Sequence, residues 1–173
     1  MCIRDRLLIL FIFLTSNVFA NDVSEIKNIV IHKDLKAYDN VIFLDKNEQK
    51  INIKEFNGNL ILLNFWATWC EPCKEEMPSL DRLQSNKNLN NLKVFAINIS
   101  QESVKKVDSF FRDLNIKNFE PYFDAPTTLA KSFSLRGVPT SILINKKGKE
   151  FARIIGSIDF DDKKFINWLK DYN

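Results

Sequence analysis

Seven consecutive residues, Leu60-Ile61-Leu62-Leu63-Asn64-Phe65-Trp66, include a single polar side chain. A strand with one wet face alternates apolar and polar residues. An unbroken apolar run marks a strand covered on both sides. The chain must therefore build layers above and below this strand. Four positions after Trp66 comes Cys70-Glu71-Pro72-Cys73. Pro72 suits the first turn of a helix, where a missing N–H costs nothing. A buried strand thus delivers the chain to a helix that begins at a cysteine pair.

The remaining pattern fits that frame. Val41-Ile42-Phe43-Leu44 and Ile51-Asn52-Ile53 flank Asp45-Lys46-Asn47-Glu48, a hairpin signal. The helix after Cys70 is expected to run to about Ser85, with a kink at Pro78. Leu92 to Ile99 reads as a second buried strand. Glu102 to Leu114 places Val104, Val107, Phe110, Phe111 and Leu114 on one helical face. A short extended piece at 121–123 and a short helix at 127–133 follow. Strands at 141–145 and 151–155 precede a last helix at 161–171. Hairpin, β-α-β-α, then β-β-α predicts an α/β fold: a mixed central sheet flanked by helices, with an added N-terminal hairpin. Residues 39–173 form that domain. Residues 21–38 are mostly polar and read as a tail, with His32 as an ordinary surface residue.

The first twenty residues differ. Arg4 and Arg6 precede the apolar stretch Leu7 to Leu14, followed by Thr15-Ser16-Asn17 and Val18-Phe19-Ala20. A basic start, a short apolar middle and a small residue at the cut predict a secretory leader over 1–20. An uncleaved membrane anchor is the alternative. Cys2 would leave with a cleaved leader, and it precedes the apolar stretch, so it is no lipid-attachment site. The mature chain then keeps two cysteines in an oxidising compartment. A pair two residues apart closes a tiny loop and restrains little of the unfolded chain, which points to redox use over stapling.

A Cys-x-x-Cys pair is also half of a zinc site. That reading needs two further ligands. Beyond the pair and the leader the chain has no cysteine and one histidine, His32, so no metal site is expected. The net charge of +3, without a dense Lys/Arg run, gives no footprint for nucleic acid.

The stretch Leu63-Asn64-Phe65-Trp66-Ala67-Thr68-Trp69-Cys70-Glu71-Pro72-Cys73-Lys74-Glu75-Glu76-Met77-Pro78 resembles the active-site segment of the TlpA/ResA group of thioredoxin-like proteins. Gly137-Val138-Pro139-Thr140 resembles the cis-proline loop of the same superfamily. The resemblance extends loosely from the hairpin to the final helix. It implies a thiol–disulfide oxidoreductase in which Cys70 attacks and Cys73 resolves. It also implies a Val138–Pro139–Thr140 loop lying against the cysteines, with Trp69, Glu71 and Pro72 bordering the substrate groove. Thioredoxin has a buried Asp where this chain has Asn64. The ResA-like proteins instead carry an acid three residues past the second cysteine, matched by Glu76. If buried, that acid trades protons with the thiols. The expected cofactor is none beyond the redox-active disulfide itself.

Glu71 between the cysteines disfavours a thiolate, which predicts a reductant. The resemblance implies apocytochrome c or copper-centre assembly proteins as acceptors and a membrane thiol-transfer protein as electron donor. The alternatives are a general exported oxidase or isomerase, a peroxidase and a thiol metal chaperone. Residues 65–69 do not fit the peroxidatic context, and the motif lacks a nearby His for a metal chaperone.

Overall fold

The computed structural model describes residues 26–124 and 127–173. The predicted leader and Cys2 lie outside the described residues. Eight strands form one sheet: β1 (Ile29–Ala37), β2 (Ile42–Leu44), β3 (Lys50–Asn52), β4 (Leu60–Trp66), β5 (Leu92–Asn98), β6 (Pro121–Phe123), β7 (Thr140–Ile144) and β8 (Lys149–Ile155). Their order across the sheet is β1-β8-β7-β4-β5-β6-β2-β3. The helices are α1 (Glu71–Gln84), α2 (Val104–Asp113), α3 (Thr128–Ser132) and α4 (Lys163–Lys170).

The apolar run behaves as its composition requires. Every residue of β4 is buried, and the strand lies between β5, parallel to it, and β7, antiparallel. Its side chains alternate between two cores. Leu60, Leu62 and Trp66 pack with Met77 and Leu80 of α1, Phe110 and Phe111 of α2, and Phe165 and Trp168 of α4. Ile61, Leu63 and Phe65 pack on the other face with Phe43, Phe95, Leu129 and Phe133. Each such side chain contributes about 1.5–3 kcal/mol by leaving water, which is why the strand anchors the sheet.

The mixed sheet and the hairpin appear as expected, with β2 and β3 paired antiparallel. Helix α1 continues through Pro78. The N-terminal region is a correction. Residues 29–37, expected within a polar tail, form edge strand β1, paired antiparallel with β8. Most of its side chains are exposed, so apolar patterning does not reveal it. Backbone pairing holds it, together with one buried polar cluster. His32 Nε2 lies 2.6 Å from Glu150 Oε1, and its side chain is 11% exposed. Tyr38 donates to the other Glu150 oxygen. Arg153 donates to both, at 2.7 and 3.0 Å. His32 is therefore not an ordinary surface residue.

Candidate active site

Cys70 is the N-cap of α1, and the Cys73 N–H donates to its sulfur at 3.3 Å. The two sulfurs form a disulfide across a Cα–Cα distance of 5.3 Å. Cys70 retains 5% exposure and Cys73 none. The first cysteine is thus the one nearer solvent. Trp69 beside it is 69% exposed, and its indole Nε1 donates to Ser100 Oγ at 3.0 Å. Glu71 and Pro72 are exposed on the first turn, with Glu71 3.3 Å from Lys74 Nζ.

Strand β7 brings the second motif to the first. Its register sets Thr140 opposite Phe65 and Ser141 opposite Asn64, so the loop before β7 meets the C-terminal end of β4. The Val138–Pro139 bond is cis. Thr140 Oγ1 donates to the Gly137 carbonyl at 2.8 Å. Among the described residues Val138 forms no backbone hydrogen bond.

Three residues past Cys73 on α1, Glu76 is buried, at 3% exposure. Its Oε1 accepts from Asn64 Nδ2 at 2.8 Å, and the same amide nitrogen donates to Ser141 Oγ at 3.0 Å. Its Oε2 has no hydrogen bond of good geometry. Burial pushes the Glu76 carboxyl up to about 8, against the partial pull of Asn64 and the Ile158 backbone. Glu76 also lines an open cavity of about 420 Å³ with Ser79, Arg82 and Asp159. The Ser79 hydroxyl donates to the Glu76 carbonyl at 2.8 Å and accepts from the Phe160 N–H at 3.0 Å, tying the loop before α4 to α1.

Two further residues, Glu102 and Ser141, support the site. Glu102 accepts from the hydroxyl of Thr68, from its N–H at 3.3 Å, from Asn98 Nδ2 at 2.9 Å and from Lys106 Nζ at 2.6 Å. Burial opposes its charge, yet the bonds from Lys106, Thr68 and Asn98 hold its carboxyl below the ordinary value. It clamps the loop that presents Trp69 and Cys70. Asn98 closes β5 and Glu102 precedes α2, so helical spacing gave Glu102 no signal. Ser141 had none, since it meets Asn64 only through strand pairing.

The arrangement can pass two electrons and a proton: a slightly exposed sulfur at a helix N-terminus, a wholly buried partner sulfur, and a buried protonatable carboxyl three residues further along α1. The Redoxin family model matches residues 25–164. The chain belongs to the Redoxin family. A thiol-disulfide oxidoreductase ResA from Bacillus cereus is 32% identical over 121 residues, covering 70% of this redoxin and 69% of the relative. The structure of StoA from Bacillus subtilis is similar at a TM-score of 0.61 and 26% identity, over 78% of this redoxin and 97% of that chain. A secreted thiol-disulfide isomerase from Corynebacterium glutamicum shares the fold at a TM-score of 0.68 and 20% identity, over 86% and 90% of the two chains. This redoxin is a thiol–disulfide oxidoreductase of thioredoxin-like fold, similar to the TlpA/ResA group.

Proposed function

We propose that this redoxin works outside the cytoplasm as a reductant of protein disulfides. One observation carries the direction of transfer. Glu71, the first residue of α1, places a carboxylate between the two cysteines, and no histidine stands there. A neighbouring negative charge disfavours a thiolate, so the reduced form is not over-stabilised and the pair gives electrons away readily. The helix N-terminus still supplies enough positive potential for Cys70 to react.

In the reaction, Cys70 thiolate attacks one sulfur of the substrate disulfide. A mixed disulfide forms and the other substrate sulfur leaves as a thiolate. Cys73, deprotonated, then attacks the Cys70 sulfur. The second substrate thiol departs, and the Cys70–Cys73 disulfide holds the oxidised state. In its deprotonated form Glu76 takes up the Cys73 proton, for which its affinity is raised toward that of a thiol, and returns it to the departing substrate sulfur. Trp69, Pro72 and the Val138–Pro139–Thr140 loop border the extended substrate, whose backbone pairs with Val138. No bound cofactor is needed. A membrane thiol-transfer protein restores the dithiol. Apocytochrome c cysteines or copper-centre assembly proteins are the acceptors this reading favours. The leader-like residues 1–20 support export.

Equilibration with a glutathione redox buffer tests the direction. The expected potential lies near the thioredoxin end, roughly −270 mV, and a value near roughly −120 mV would overturn the proposal.

A further inference from the structure

The hairpin has no part in the chemistry above, yet it walls a second cavity on the Trp69 side of the site. This cavity, about 180 Å³, has an apolar floor of Leu44, Val104 and Phe123. A cavity of roughly 150 Å³ suffices for a benzene-sized group. Ser100, which accepts the Trp69 indole N–H, lies on its wall. The exposed indole and the cavity therefore share Ser100. On the hairpin side the rim carries Asp45 and Glu48. Asp45 Oδ1 is engaged by the turn amides of Asn47 and Gln49, at 2.8 Å each. Glu48 forms no ion pair among the described residues. Glu102, on the opposite wall, is matched by Lys106. The unmatched charge at the mouth is thus negative, on a chain whose net charge is +3.

We infer that this cavity is a specificity site for the acceptor polypeptide, taking an apolar side chain whose neighbour in sequence is basic. The apolar floor buries the side chain, Trp69 covers the chain leading to the target sulfur, and Glu48 meets the cation. Apolar burial supplies binding and the rim charge supplies register and selectivity. The hairpin is then the element that reads the substrate. The inference rests on the reductant reading.

Its test uses the dithiothreitol-reduced protein and two disulfide-linked fluorogenic peptides. One carries Leu-Lys a few residues from the target cysteine, and the other carries Ser-Glu at the same place. Each rate is divided by the rate on bis(2-hydroxyethyl) disulfide, so that general damage to the thiols cancels. The expected KM for the Leu-Lys peptide is about tenfold lower, the scale of one buried aliphatic group. Val104→Glu should bring the two KM values together. Glu48→Lys, in an exposed turn, should raise KM for the Leu-Lys peptide alone, and it keeps the test alive if Val104→Glu does not fold. Equal KM values for the two peptides on the unmodified protein, or a preference untouched by Glu48→Lys, would overturn the cavity assignment while leaving the reductase reading intact. Failure to reduce either peptide would overturn both.

Discussion

The Asn64 side-chain amide donates one hydrogen to Glu76 Oε1 at 2.8 Å and its other to Ser141 Oγ at 3.0 Å. Ser141 occupies one hydrogen of the amide nitrogen, so the other is presented to the carboxyl. A donor at that point favours the charged form of Glu76 and tempers the effect of burial. Asn64→Ala removes it. The Glu76 carboxyl, already pushed up to about 8, should then hold its proton still more strongly. Carbon-13 NMR of the labelled carboxyl reads this directly, and a lower value in the variant would contradict the role given to Asn64.

Glu76 makes stability fall as pH rises. The folded state keeps its proton up to about 8, whereas the unfolded chain releases it near 4.5. Between those limits unfolding releases a proton, so raising the pH favours unfolding. The contribution is fully present below the unfolded value and is lost as pH climbs to the folded one. Glu76→Gln has no such proton to lose. Its stability relative to the native protein should improve between about pH 5 and about pH 8 by on the order of 3 kcal/mol. Urea unfolding of the disulfide form at both pH values measures this, and parallel curves for the two proteins would refute it.

Cys73→Ala should stall the reaction at the mixed disulfide, because nothing remains to attack the Cys70 sulfur. Mass spectrometry after incubation with a disulfide peptide should find the adduct on Cys70. The Cys70→Ala protein should give little adduct, since Cys73 is wholly buried. Equal trapping by both variants would reverse the assignment of attacker and resolver.

Much of this was legible because the signals are local. The apolar run of β4, the cysteine spacing, Pro72 and the faces of α2 and α4 each lie within a dozen residues. Glu76 was visible through the resemblance, which implies an acid three residues past the second cysteine. Strand β1 was not, because its stability lies in backbone bonds to β8 and in a histidine whose partner stands 118 positions away. A mostly exposed strand has no periodic apolar stripe to betray it. Ser141 and Glu102 were hidden for a related reason: their importance comes from what tertiary pairing sets beside them.

The Glu150 cluster gives β1 its own test. Burial opposes the Glu150 charge, but Arg153, Tyr38 and His32 all bond to it and hold its carboxyl below the ordinary value. Glu150→Ala would strand the Arg153 guanidinium, whose side chain is only 14% exposed. Breaking one partner of a buried pair costs roughly 3–5 kcal/mol. Amide exchange in residues 29–37 should accelerate more than in β4. Uniform acceleration across the sheet would show that β1 is not separately clasped.

The hairpin stands at one end of the sheet, while the cysteines and Glu76 sit on the helix beside the central strand. On the specificity reading given above, the turn that meets the substrate's charge and the dithiol lie on separate stretches of chain. Changes in the turn from Asp45 to Glu48 can alter which client is held without disturbing the dithiol. A lineage could retarget such a protein by editing a few turn residues, with the electron-transfer unit inherited intact.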